Sequence, residues 1–113
     1  MILSNDMKSE IKSHSLESFP NECCGLVLSK EKESFVYKCK NIAKDTVRDF
    51  RIDPEDYLKG SLLGKVIGYY HSHTNENDKF SPLDKLISDQ HELPLIMYYI
   101  KNNKFFVYGE SNG

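Results

Sequence analysis

The sequence predicts an α/β domain, a mixed sheet with helices packed on it. Three observations carry this expectation. Helical and strand periodicities alternate along the chain. The β-prone runs are short and apolar, as buried strands are. Two helix starts are written out, at Asp53-Pro54-Glu55 and at Ser81-Pro82. These patterns leave the strand order open.

Leu3, Met7 and Ile11 recur every four residues, which predicts a first helix with one apolar stripe, reaching about Ser18. Phe19-Pro20 ends it, because a proline disfavours helical backbone in the residue before it. Strands are expected over 25–29 and 34–38. The charged run Lys30-Glu31-Lys32-Glu33 joins them as a solvated hairpin tip. Phe50-Arg51-Ile52 is a brief extended piece. Asp53 is a good N-cap, Pro54 suits the first helical position, and the acids after it suit the helix dipole. That helix carries Tyr57, Leu58, Leu62 and Leu63 and stops near Gly64. Residues 65–70 read as a strand that ends near His73. The polar stretch 74–80 reads as a loop. Ser81 and Pro82 open a helix expected to carry Leu83, Leu86 and Ile87 on one face. Residues 95–100 and 104–108 form a terminal hairpin across Lys101-Asn102-Asn103. His14 and His91 fall in polar helical stretches and are expected in solvent. Residues 1–113 are read as a single domain whose tail, 109–113, is frayed.

Composition bounds the function. At 113 residues the chain can build one core. A net charge of −2 provides no basic footprint for nucleic acid. No stretch approaches the ~20 apolar residues of a membrane span. The start Met1-Ile2-Leu3-Ser4-Asn5-Asp6 lacks the pattern of a signal peptide. The expected location is therefore a reducing cytoplasm, unless the protein leaves as part of a larger particle. Cys23, Cys24 and Cys39 are odd in number and lack Cys-x-x-Cys spacing, so they are expected to be buried side chains rather than a thiolate zinc site.

His71-Ser72-His73, followed after seven residues by Ser81-Pro82-Leu83-Asp84, is the most informative pattern. Residues i and i+2 of a strand share a face, so two imidazoles stand side by side with Ser72 turned away. Asp84 falls in the first turn of the next helix, which can fold back to the strand end. Ser81 and Asp84 alone make a capping box, the Asp version of Ser-x-x-Glu; a capping role and a ligand role do not exclude each other. Two imidazoles and a carboxylate can hold zinc and leave a fourth position open, the arrangement of catalytic rather than structural sites. Such a hydrolase needs a proton acceptor, and Glu22, where the chain enters the apolar run 25–28, is the candidate.

Together these residues resemble the JAMM motif of the MPN metallopeptidases: Glu22, His71-x-His73 and Ser81-x-x-Asp84. Glu22-Cys23-Cys24-Gly25-Leu26-Val27-Leu28 is similar to that family's opening strand. Asn41-Ile42-Ala43 with Phe50-Arg51-Ile52-Asp53-Pro54-Glu55-Asp56-Tyr57 is similar to the middle of its bacterial and phage members. His91-Glu92-Leu93-Pro94-Leu95-Ile96 is similar to the segment after their metal helix. The resemblance spans residues 7–108 and is closest to the JAMM domain of tail assembly proteins of lambda-like phages, with small bacterial JAMM peptidases second.

The resemblance implies a curved MPN sheet flanked by helices and one Zn2+ per chain. It implies that His71, His73 and Asp84 bind the metal and that Glu22 moves protons as general base. Ser81 would hydrogen-bond the oxyanion or the metal water. Zinc lowers the pKa of a bound water from about 15.7 towards 7 and polarises a carbonyl. The implied activity is hydrolysis of a peptide or isopeptide bond. The implied substrate is a peptide or protein, such as a ubiquitin-like or phage tail protein, and the implied place is the cytoplasm of a bacterial or phage-infected cell, or a virion tail into which the protein is built. The alternative is a structural or assembly component of a phage tail whose zinc site serves stability or partner binding. Thr74 stands where many relatives carry Pro, which raises the question of how rigid the loop 74–80 is.

Overall fold

In the computed structural model the described residues are 3–109. The elements run α1 (Asn5–Ser18), β1 (Cys24–Lys30), β2 (Glu33–Cys39), α2 (Pro54–Ser61), β3 (Lys65–His73), α3 (Pro82–His91), β4 (Leu95–Tyr99) and β5 (Lys104–Tyr108), with a 3-10 turn over Ile100–Asn102. The five strands form one mixed sheet in the order β2-β1-β3-β4-β5. Only β3 and β4 are parallel, and α3 makes the crossover that a parallel pair requires. The expected α/β architecture is thus observed. The frayed-tail expectation falls, beyond Gly109, outside the described residues.

Strand alternation sorts the core into two layers. Cys23, Val27, Tyr70, Ile96 and Tyr98 meet Met7 and Ile11 of α1 on one face. Cys24, Leu26, Leu28, Tyr69 and Leu95 meet Phe50 on the other, with Ile87 of α3 packed against them. α2 also sits on this second face. It approaches through Gly60, where an added Cβ would lie 2.7 Å from Leu26. That contact explains why the leucines of this region do not pack inwards: Leu58 and Leu62 are exposed. The helix also ends at Ser61, before the expected stop.

Two expectations are corrected. Leu83 and Leu86 are about half exposed, and the buried residues of α3 are Asp84 and Ser88. Residues three and four apart share a helix face, so once Asp84 faces the sheet, Ile87 and Ser88 follow it and Leu83 and Leu86 turn outwards. His14 is buried rather than solvated, and its Nδ1 lies 2.7 Å from the Tyr70 hydroxyl. Burial, with help from Lys38, lowers its pKa.

The lowered pKa has a consequence for stability. The unfolded chain binds a proton at His14 near pH 6.5, and the folded chain binds it only at lower pH. Stability from this residue is therefore complete above that pH and is lost as pH falls through it. Urea titrations of His14→Gln should show a flatter loss of stability as pH falls below about 6.5 than the parent chain. Gly25 makes a second prediction. An added Cβ would lie 2.2 Å from the Tyr70 ring and 2.4 Å from the Tyr37 carbonyl. Gly25→Ala should therefore lower the unfolding free energy by about 2–3 kcal/mol in the same assay.

Candidate metal centre

β3 lies in the middle of the sheet and ends in His71 and His73, both buried. Their ring centroids are 4.8 Å apart. Ser72 between them points away, and its hydroxyl accepts from the Cys23 N–H at 2.9 Å. Asp84 arrives from the first turn of α3. The Ser81 hydroxyl accepts from the Asp84 N–H at 3.0 Å, and Asp84 Oδ2 accepts from the Ser81 N–H at 2.9 Å. This capping box aims the carboxylate. The same Oδ2 stands 3.3 Å from His71 Nε2 and 3.2 Å from His73 Nε2. The cap and the histidine contact coexist on one oxygen.

Glu22 reaches the same place from the start of β1. Its N–H donates to the Thr46 carbonyl at 2.6 Å, and its carbonyl accepts from Asn41 Nδ2 at 2.9 Å. The next residue is pinned by Ser72, whose N–H donates to the Cys23 carbonyl at 3.1 Å. The Glu22 side chain is buried, and it, His71 and His73 offer ligand atoms that all lie within 4.8 Å of one another. The five residues singled out in the sequence, Glu22, His71, His73, Ser81 and Asp84, therefore gather in one region.

The second nitrogen of each ring decides what the first can do. His71 Nδ1 lies 3.0 Å from the Ile96 carbonyl, and His73 Nδ1 lies 3.0 Å from the Asn77 carbonyl. A carbonyl oxygen only accepts, so each Nδ1 carries the proton. In a neutral ring Nε2 then holds a lone pair, aimed here at a carboxylate oxygen. Two acceptors at 3.2 and 3.3 Å repel each other. Protonating both rings would relieve the repulsion, but His71 is fully buried and its pKa is lowered for that reason. A charge-assisted N–H···O bond would also be shorter, about 2.7–2.9 Å. A shared cation satisfies all three atoms. Around a tetrahedral ion with bonds of about 2.0–2.1 Å, neighbouring ligand atoms stand about 3.3 Å apart. The donor set thus fits a divalent cation of zinc's size and preferences.

The local electrostatics separate the two carboxyl groups. Burial works to raise the pKa of Asp84, but its close contacts with His71 and His73 outweigh it and hold the group well below the usual carboxylate range. Glu22 goes the other way: burial, opposed in part by His73, pushes it up to about 8. For His73, burial pulls the pKa down, and the contacts with Asp84 and the Asn77 carbonyl raise it overall. The cysteines are all buried. Burial pushes the thiols of Cys23 and Cys39 up to about 11 and 12 and that of Cys24 further in the same direction, which agrees with their reading as buried side chains.

Several contributors had no sequence signal. The Asn77 and Ile96 carbonyls orient the histidines as backbone atoms, which no side-chain pattern reveals. Phe50 stacks on His71 at 4.6 Å between ring centroids, and its place depends on a long loop. Asn41 ties that loop together: it bonds Glu22, Asp49 and the Arg51 N–H. The loop after His73 is well held despite Thr74. Thr74 donates to the Val47 carbonyl at 3.2 Å, and Asn75 and Asn77 each accept from an N–H two residues on.

A small α/β domain with two histidines, an aspartate and a glutamate converging at a strand end is the class that fold and site define. Residues 4–108 match the family described as prokaryotic homologs of the JAB domain, and the chain belongs to that family. It is also similar to "Tail tip assembly protein K" of Escherichia phage N15, at 33% identity over 84 residues, 74% of this chain. That match spans 35% of the phage protein's length. Two solved structures share the fold. A Desulfitobacterium hafniense protein superposes with a TM-score of 0.73 at 21% identity, covering 92% of this chain and 78% of the other. A Salinibacter ruber protein superposes at 0.64 and 15%, covering 99% and 83%.

The repulsion among the lone pairs predicts a stabilising ion. At a free zinc concentration 100 times the Kd, the parent chain should gain about 2.7 kcal/mol in unfolding free energy. Asp84→Ala and His73→Ala should lose most of that gain. Thermal melts with and without zinc, run beside calorimetric titration, check both.

Proposed function

We propose that this domain is a zinc-dependent metallopeptidase that hydrolyses a peptide or isopeptide bond. The observation that carries the reading is the geometry at Asp84 Oδ2, shared between two Nε2 atoms whose rings are already committed through Nδ1. In this assignment His71, His73 and Asp84 hold one Zn2+, and Ser81 and Glu22 serve the reaction. When bound, the metal would supply an acidified water and polarise the scissile carbonyl.

The chain's own residues would handle the protons and the orientation. Glu22 takes the proton from the water at the site and delivers it to the leaving amine. Its buried position beside His73 keeps bulk water from competing. Ser81 accepts from the Asp84 N–H, so its own O–H remains available to donate to the carbonyl oxygen as charge develops there. The Ile96 and Asn77 carbonyls hold the two rings in the ligating tautomer. Phe50 covers one face of His71.

A second reading is favoured by the similarity to the phage N15 protein, whose name places it in tail tip assembly. Here the domain would act in a phage tail, in the infected cell or the virion, with the metal serving stability or partner binding. The two readings coexist if the peptide cleaved belongs to a tail protein.

One variant tests the enzymatic reading. Glu22→Gln keeps the shape of the side chain and removes the base. It should take up zinc like the parent and lose at least about 100-fold in kcat against any peptide the parent cleaves. Metal analysis and a cleavage assay on the same preparation provide the answer. Undiminished turnover would remove Glu22 from the mechanism.

A further inference from the structure

A pocket of about 530 Å³ opens on the α2 and α3 face of the sheet. Its walls are mostly apolar, with Phe50, Ile52, Tyr57, Tyr69 and Ile87, and Arg51 and His91 complete the lining. Two elements run from the metal centre straight into it. On β3, Tyr69 precedes His71 by two residues on the same face, a step of about 6.6 Å. On α3, Ile87 follows Asp84 by three residues, about one turn. The Phe50 ring forms the partition, lining the pocket and stacking on His71 at 4.6 Å. Tyr69 forms part of the floor, with His91 edge-on at 5.4 Å and Tyr57 tilted against it at 6.5 Å. A separate cleft, lined in part by Glu22 itself, is different in kind, with Glu17, Lys38, Lys40 and Asp56 among its walls.

We infer that this pocket receives an aliphatic or aromatic side chain of the peptide substrate, from a residue beside the bond held at the metal centre. The inference rests on the peptidase reading and adds a substrate class to it. A peptide with its scissile carbonyl at the His71 and Asp84 end must send a neighbouring side chain along the sheet face, and the spacing of Tyr69 and Ile87 matches the reach of one residue. The walls select its chemistry. Aromatic and aliphatic surface rewards apolar burial, whereas a neutral polar side chain would lose its hydration there and a basic one would also meet Arg51.

The test uses the full chain, zinc-loaded, and capped hexapeptides that differ only in Leu, Phe, Gln or Lys at a central position. Backbone amide shifts measure binding without any need for turnover, and cleavage is followed in parallel. The Leu and Phe peptides should bind at least about tenfold tighter than the Gln and Lys peptides and shift the amides of Ile52, Tyr69 and Ile87. Ile87→Trp fills the pocket and should erase the preference. Tyr57→Ala, at the exposed rim, should weaken it while leaving zinc uptake unchanged, which guards against misfolding of the first variant. Equal binding of the four peptides overturns the inference, as does cleavage with no side-chain preference. Concentration-dependent shifts at these residues without peptide also overturn it, assigning the pocket to a second copy of the chain. Apolar preference at the pocket without cleavage of any peptide supports the pocket and removes the hydrolysis.

Discussion

One carboxylate oxygen organises the molecule. Asp84 Oδ2 receives the Ser81 N–H and faces both histidine Nε2 atoms. The N–H contact is an ordinary helix cap. The other two are acceptable only with positive charge among the three atoms, because both rings spend their N–H on backbone carbonyls. The same oxygen therefore fixes the start of α3, the rotation of that helix about its axis and the electrostatic demand of the strand end. Leu83 and Leu86 face outwards because of it: a helix turned to bury them would carry Asp84 away from β3.

The sheet topology supplies the remaining parts. β3 pairs with β1 on one side and β4 on the other. The antiparallel neighbour brings Glu22 in from its start, beside the end of β3. The parallel neighbour brings the Ile96 carbonyl under His71. The crossover helix between β3 and β4 brings Asp84. Open α/β sheets bind ligands beyond the carboxyl ends of their strands, and the end of β3 is such a place here. A strand with polar residues at its tip and apolar ones behind it is what allows a polar cluster to sit on a packed core.

Much of this was legible in the sequence, for physical reasons that also mark the limits. Caps and strand alternation are local, so β1, β2, β3 and the start of α3 can be read from a few neighbouring residues. The clustering of these side chains was legible because His71 and His73 share a strand face and Asp84 sits in a helix that begins soon after. Long-range partners left no trace. His14 reads as a polar helical residue, and only the Tyr70 hydroxyl, 56 residues away in the chain, explains its burial. Phe50 reads as a short extended piece, and nothing local says that its ring stacks on His71. The Gly60 approach to Leu26 is equally silent, so the leucines around it promise a buried face that the packing does not use.

The division between local and distant parts bears on chemistry. In the proposed assignment the three ligands belong to one continuous unit, β3 to α3, and the capping box holds that unit together. Glu22 is held by other bonds, from Thr46, Asn41 and the Ser72 and Cys23 pair, none of them shared with Asp84. A structural metal site closes its coordination with protein atoms, and a catalytic one keeps a position free for water. An acid hung on a separate frame can stand beside the ion without closing it. Its burial can then set its affinity for protons while the ligand triad sets affinity for the metal. That independence is what a general base requires, since it must gain and lose a proton in each turnover while the ion stays where it is.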